Sequence, residues 1–128
     1  MKLLLDTCTL IWLATEPGRV SGLAKRLFAD PDNEVFLSAV SCWEMSLKYA
    51  AGKLTLPEPP AKLVVSYREQ YGIGGFPLDE ESALYVPRLP RLHADLFDRM
   101  LICQSIVHGL AILTPDESIA QYAVRTLW

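Results

Sequence analysis

The first six residues constrain the fold more than any other stretch of the chain. Met1-Lys2-Leu3-Leu4-Leu5-Asp6 is a short apolar run that stops at a single carboxylate, and Thr7-Cys8-Thr9 leads from it into a second apolar pattern. Strands of parallel sheets are covered on both faces, so they read as continuous apolar runs. Ligand sites in such sheets lie just beyond the carboxyl ends of the strands. Asp6 therefore falls where a parallel sheet places its chemistry.

The rest of the chain alternates between strand and helix patterns. Leu10, Ile11, Leu13 and Ala14 predict a short helix stopped by Glu16-Pro17-Gly18. Ser21 reads as the N-cap of a second helix. Residues 34–38 are rich in strand formers and predict the second strand. Residues 40–51 carry Val40, Trp43, Leu47 and Ala51 at helical spacing, and Ser41-Cys42-Trp43-Glu44 has the form of a capping box. A helix over 61–71 follows. Residues 72–75 read as a turn, and Phe76-Pro77-Leu78 as a strand placed near an edge by its proline. Asp79-Glu80-Glu81 opens a helix running to about residue 86. Asp95 to Gly109 brackets a long helix, residues 111–114 form a buried strand, Pro115 begins a short helix, and residues 124–128 form a last strand. This alternation predicts an α/β fold with a mostly parallel, about five-stranded sheet, and one domain over residues 1–128.

Composition narrows the function. No apolar stretch reaches the roughly 18 residues of a membrane span. Leu3-Leu4-Leu5 meets Asp6 too soon for a signal-peptide core. A cytoplasmic location is expected. Three cysteines, Cys8, Cys42 and Cys103, with no C-x-x-C pair, indicate neither a disulfide framework nor a zinc site, and buried inert thiols are expected. The net charge of −3 argues against nucleic-acid binding by surface charge alone. It allows a local site with acids that need cations at its centre.

Four acids stand at strand-to-helix junctions. Asp6 follows the first strand, Glu44 lies on the helix after the second, Asp98 is in the first turn of the helix before the fourth, and Asp116 follows the fourth. Each has a local alternative. Asp6 and Thr7 can cap a helix, Glu44 can close a box with Ser41 or pair with Lys48, Asp95 and Asp98 can be the cap and third residue of one helix, and Thr114-Pro115-Asp116-Glu117 is itself a T-x-x-E pattern. Gathered at one sheet edge, four carboxylates repel one another and raise their pKa values. A divalent cation relieves that repulsion, and oxygen donors suit Mg²⁺ or Mn²⁺. Such an ion points to phosphate chemistry with metal-activated water. No Ser-His-Asp or Cys-His nucleophile is evident.

Four segments carry a family likeness: Leu3-Leu4-Leu5-Asp6-Thr7; Ser38-Ala39-Val40-Ser41-Cys42-Trp43-Glu44-Met45; His93-Ala94-Asp95-Leu96-Phe97-Asp98-Arg99-Met100-Leu101-Ile102; and Leu113-Thr114-Pro115-Asp116. In order and spacing they resemble the PIN-domain family, in particular its VapC-type toxins of toxin–antitoxin pairs, over nearly the full chain. The third segment is the most specific, being close to an H-x-D-P-F-D-R-M-L signature. The resemblance implies a three-layer α/β/α sandwich and a Mg²⁺- or Mn²⁺-dependent endoribonuclease. It implies a catalytic and metal-binding quartet of Asp6, Glu44, Asp98 and Asp116, with Asp95 as an auxiliary acid whose competing role is N-cap. It further implies support of the quartet by Thr7 and Thr114 through hydrogen bonds, a VapB-type antitoxin partner, an RNA substrate and a homodimer. Two positions depart from the family pattern, Cys8 where His is common and Leu96 where Pro is common. Neither removes a carboxylate.

Other residues have two readings each. Arg99 either holds an acid in place or contacts RNA phosphate. Lys48 pairs with Glu44 or joins a phosphate track. His93 is expected to fix the loop before Asp95 rather than act as a general base. Two other functions compete: a receiver-like signalling domain with an acid pocket, and a catalytically silent PIN-like module binding RNA or protein. The receiver reading lacks an acid at the end of a mid-chain strand with a later lysine opposite. The silent reading sits poorly with an intact quartet.

Overall fold

Leu3 and Leu5 face one side of a sheet and Leu4 the other, and all three are fully buried. That period of two, with both faces covered, makes β1 (Lys2–Leu5) the central strand. A computed structural model describes residues 1–128. In it β1 pairs in parallel with β2 (Glu34–Ser38) on one side and β4 (Ala111–Leu113) on the other. β3 (Gly74–Phe76) and β5 (Thr126–Leu127) are the edges, giving the all-parallel order β3-β2-β1-β4-β5. Flavodoxin-like folds, receivers among them, use the order 2-1-3-4-5. The observed order departs from it and so from the receiver-like alternative.

The two faces carry separate cores. One joins Leu3, Leu5, Val35, Leu37 and Leu113 to Leu10 of α1 (Thr7–Thr15), Ala24 of α2 (Gly22–Ala29) and Met45 of α3 (Ala39–Ala50), with Val64 and Tyr67 of α4 (Pro60–Tyr71) packed against it. The other joins Leu4 and Ile112 to Leu101 and Ile102 of α6 (Leu96–His108) and Ile119 of α7 (Glu117–Ala120). α5 (Glu80–Leu84) lies against α6. Helix, sheet and helix thus form three layers, the expected α/β/α arrangement. α3 contributes to both cores, through Met45 and Val40, and so straddles the end of the sheet. No helix is long and apolar enough to cross a membrane.

Several local expectations are corrected. Residues 74–75 are strand rather than turn, and Pro77 lies just past β3 instead of inside it. Gly74 is needed there: a Cβ would sit 2.8 Å from Phe36 Cδ1, and the Phe36 ring is wedged against Phe76 with centroids 5.4 Å apart. Gly74→Ala is expected to cost about 1–3 kcal/mol through overpacking, read as a lower urea midpoint at unchanged m-value. The final strand is shorter than expected, and α5 ends at Leu84 before a 3₁₀ turn at Val86–Arg88. Cys8 and Cys42 are half-buried, and only Cys103 is fully enclosed. In α1 the inward residues are Thr7, Thr9 and Leu10, not the apolar set alone. Thr9 is tolerated because its hydroxyl donates to the Leu113 carbonyl at 2.7 Å.

Candidate active site

The chain reverses its direction of growth across the sheet between β1 and β4, and the carboxyl ends flanking such a switch point form a crevice. Asp6 stands at the end of β1, with its amide bonded to the Leu113 carbonyl. It holds the N-cap position of α1, yet its side chain makes no capping bond. Its carboxylate is therefore left for the crevice. Oδ2 accepts from the Thr114 hydroxyl at 2.7 Å and from the Cys8 thiol at 3.4 Å. Burial pushes the Asp6 pKa up, and the nearby Glu44 charge adds to this, against the opposing effect of these hydrogen bonds. The same burial, with Asp6 beside it, raises the Cys8 thiol well above the usual range, so this thiol is unreactive.

Thr114 ties two of the acids together. While donating to Asp6, its Oγ1 accepts the Asp116 amide at 3.0 Å. Asp116, not Thr114, is the N-cap of α7: its Oδ1 accepts from the Ser118 amide at 2.8 Å. The T-x-x-E box over 114–117 does not form, and Pro115 precedes the helix. Thr114→Val leaves the Asp116 N–H without this partner. It is expected to cost about 1–3 kcal/mol, read by chemical denaturation.

Glu44 is buried in the second turn of α3. The expected box with Ser41 is absent because α3 starts earlier. Ser38 is its N-cap and accepts from the Val40 amide, while the Ser41 hydroxyl accepts from Thr7 Oγ1 at 2.8 Å. Thr7 therefore directs its hydroxyl to Ser41 and not to an acid. Its support of Asp6 comes from its main-chain amide. Glu44 Oε2 pairs with Lys48, as the i,i+4 spacing suggests, and Oε1 is buried with no hydrogen-bond partner. Lys48 takes its raised pKa first from that bond.

Asp98 sits in the first turn of α6. Asp95 is the N-cap, accepting from the Asp98 amide at 3.0 Å. Burial pushes the Asp98 carboxyl up to about 7, with the charges of Asp6, Asp95 and Glu44 adding to it and the His93 bond opposing. His93 Nε2 lies 2.8 Å from Asp98 Oδ2. Arg99 does not hold an acid. It donates to the Pro90 carbonyl at 3.0 Å and to the Tyr122 hydroxyl at 3.1 Å, because it leaves α6 on the side of the 90–94 loop.

The structure thus brings Asp98 and Asp116 together with His93, their ligand atoms lying within 4.8 Å of one another. Asp6 joins through Thr114, and Glu44 through the charge it exerts on Asp6 and Asp98. Sequence reasoning gave His93 no place among the acids, although the His93-Ala94-Asp95 spacing pointed to it. Tyr122 was missed altogether. Its hydroxyl accepts from the Leu92 and His93 amides at 3.2 and 3.0 Å, and nothing in a local pattern links positions thirty residues apart.

Comparison with known proteins agrees with this architecture. The PIN domain family model matches residues 3–125. No curated protein matches the sequence. Among solved structures, VapBC2 from Rickettsia felis bound to a promoter DNA fragment superposes with a TM-score of 0.71 at 13% identity, covering 99% of this chain and 98% of the other. DNA-bound VapBC from Salmonella typhimurium gives 0.66 at 14% identity, with 99% and 97% covered. FitAcB from Neisseria gonorrhoeae gives 0.61 at 22% identity, with 98% and 96% covered.

Proposed function

Because the chain belongs to the PIN-domain family, we propose that it is a divalent-metal-dependent endoribonuclease, the toxin of a VapBC-type toxin–antitoxin pair. Its metal-binding and catalytic residues in this reading are Asp6, Glu44, Asp98 and Asp116, and its cofactor is Mg²⁺ or Mn²⁺. What supports the reading is the grouping of Asp98 and Asp116, whose ligand atoms lie within 4.8 Å of each other, with Asp6 tied to Asp116 through Thr114 and Glu44 close enough to act by its charge. Two of them have pKa values pushed upward, first by burial and then by neighbouring acids, Glu44 for Asp6 and Asp6, Asp95 and Glu44 for Asp98. Glu44 adds a buried oxygen without a partner. Oxygen donors in excess of local positive charge fit a hard cation.

A bound Mg²⁺ or Mn²⁺ supplies an acidified water and screens charge on phosphoryl oxygens. The protein's own part is to hold the acids. Thr114 fixes Asp6 and Asp116 relative to each other. The Asp95 cap fixes the helix turn that carries Asp98. Lys48 holds one oxygen of Glu44 and leaves the other open. The half-exposed Lys48 ammonium also offers a positive charge at the rim, where a phosphodiester would approach.

The VapBC neighbours support an antitoxin partner, since one of them, VapBC-5 from Mycobacterium tuberculosis, is a member of the VapBC family of toxin–antitoxin systems. A homodimer and a cytoplasmic location complete the proposal, as does residues 1–128 acting as one domain. Incubating the purified protein with end-labelled RNA, with Mg²⁺ or Mn²⁺ and then with EDTA, tests the activity. Internal cuts that appear with the ion and vanish with chelation are expected. Undiminished cleavage in EDTA, or none with either ion, would sink the reading. The silent-module alternative would show RNA binding without Mn²⁺ binding.

A further inference from the structure

The acid crevice contains one nitrogen donor. His93 presents Nε2 to Asp98, and ligand atoms of His93, Asp98 and Asp116 lie within 4.8 Å of one another. We infer that His93 is itself a ligand of the divalent cation, sharing it with Asp98 and Asp116, so that the centre favours Mn²⁺ over Mg²⁺. This rests on the reading above that the crevice holds a cation.

Geometry favours ligation. Neighbouring ligands of an octahedral ion, each about 2.1 Å from it, stand about 3 Å apart, and opposite ligands about 4.2 Å apart. The His93–Asp98 separation of 2.8 Å, a hydrogen bond without the ion, fits a neighbouring pair once the ring proton sits on Nδ1 and Nε2 offers its lone pair. The 4.8 Å limit on the trio exceeds an opposite pair by well under 1 Å. A small closing movement of one side chain completes the set.

The loop carrying His93 is braced for such a role. Its amide and that of Leu92 both donate to the Tyr122 hydroxyl, and Arg99 binds that hydroxyl and the Pro90 carbonyl. Three hydrogen bonds therefore fix residues 90–93, a segment that forms no helix or strand, and the Arg99–Tyr122 bond braces their partners. The His93 side chain is 23% exposed, and it lines a cleft of about 540 Å³ with Arg91 and Arg99. The cleft leaves the ring open to water. The unpartnered Glu44 Oε1, on a carboxylate whose charge reaches Asp98, leaves a free oxygen acceptor in the same crevice. Imidazole binds first-row transition ions better than Mg²⁺, whereas carboxylates serve both. One nitrogen among oxygens thus shifts preference without excluding either ion.

The test reads the bound ion directly. Mn²⁺ is added to the full chain, and its pulsed electron paramagnetic resonance is searched for coupling to an imidazole nitrogen. The chain has two histidines, and His108 bonds Asp79 instead, so assignment is clean. Nitrogen coupling is expected in the wild type and in His108→Gln, and its loss in His93→Gln, whose amide can still donate to Asp98. In His93→Gln, Mn²⁺ affinity should fall at least about tenfold, with a smaller change for Mg²⁺ measured by competition. Bound Mn²⁺ without nitrogen coupling in the wild type would overturn the inference and leave the cation reading standing. Equal losses for both ions would overturn the preference for Mn²⁺. Failure of Mn²⁺ to bind at all would overturn both. The wild-type spectrum decides even if a variant does not fold.

Discussion

Replacing Asp98 with asparagine is expected to lower metal-dependent RNA cleavage by at least about 10³-fold, at or beyond the upper range for removing one preorganised charge-stabilising group. The same variant should exceed the wild-type apoprotein in stability by a margin that grows from pH 5 to pH 8. Both effects come from one carboxyl. Burial, with Asp6, Asp95 and Glu44 nearby, pushes Asp98 up to about 7. At pH 5 the folded wild type carries it protonated, which asparagine imitates. At pH 8 the wild type holds a charge that its surroundings oppose, and asparagine does not. The variant keeps its scaffold, since the Asp95 cap binds the main-chain amide at position 98 and an asparagine oxygen can still face His93 Nε2. Cleavage within about tenfold of wild type, from a variant that still melts cooperatively, would remove Asp98 from the chemistry. Asp6→Asn should lose cleavage comparably, measured on the same RNA, because it takes the acid from the end of the central strand.

How much of this was legible in advance follows from the kind of signal each feature leaves. Leu3-Leu4-Leu5 announced a central strand because both its faces are covered, and a stretch with no polar face has few other places to go. The three layers followed from strands alternating with helices. β3 was misplaced because Gly74 and Gly75 carry no strand signature. They are strand through pairing with Phe36 and Leu37, and Gly74 is set by the nearness of the Phe36 ring. Three of the proposed acids, Asp6, Asp98 and Asp116, were legible because each adjoins a strand end or a helix start, whereas Glu44 lies in the second turn of α3 and was read from the segment around it. The partners of these acids were not legible. The strings over 41–44 and 114–117 both look like capping boxes, yet the caps are Ser38 and Asp116. A capping string does not reveal where the preceding strand ends, and that end decides which residue becomes the cap. The shift matters for the site: it takes Glu44 out of a local bond and leaves one of its oxygens unpartnered. The long-range partners, Thr7 with Ser41 and Tyr122 with the 92–93 amides, depend on tertiary packing and have no local trace.

The apoprotein is expected to lose stability as pH rises from about 4 to about 8, and Mn²⁺ to reverse that loss. The sign follows from the protons each state binds. Asp98 ionises near its ordinary 3.8 when unfolded and at about 7 when folded, and Asp6 is raised in the same direction. Between those values the folded state binds more protons, so the unfolding free energy falls with pH. Asp79 acts oppositely, since the Ser82 hydroxyl and His108 hold it well below the usual carboxylate range. Its contribution is lost only as the solution is acidified below its unfolded value of 3.8, so it bounds the acid side without masking the trend above. A cation that binds the folded acids competes with those protons. At a hundredfold excess over its dissociation constant it stabilises by about 2.7 kcal/mol. That gain should be near full at pH 8 and fade toward pH 5. Melting curves of the apoprotein at pH 5, 6, 7 and 8, each with and without Mn²⁺, provide the comparison. The two sets should diverge steadily with pH, and in Asp98→Asn the divergence should largely disappear. Parallel curves in the wild type would mean that the buried acids repel one another without a cation to hold them, and the nuclease reading would lose its centre.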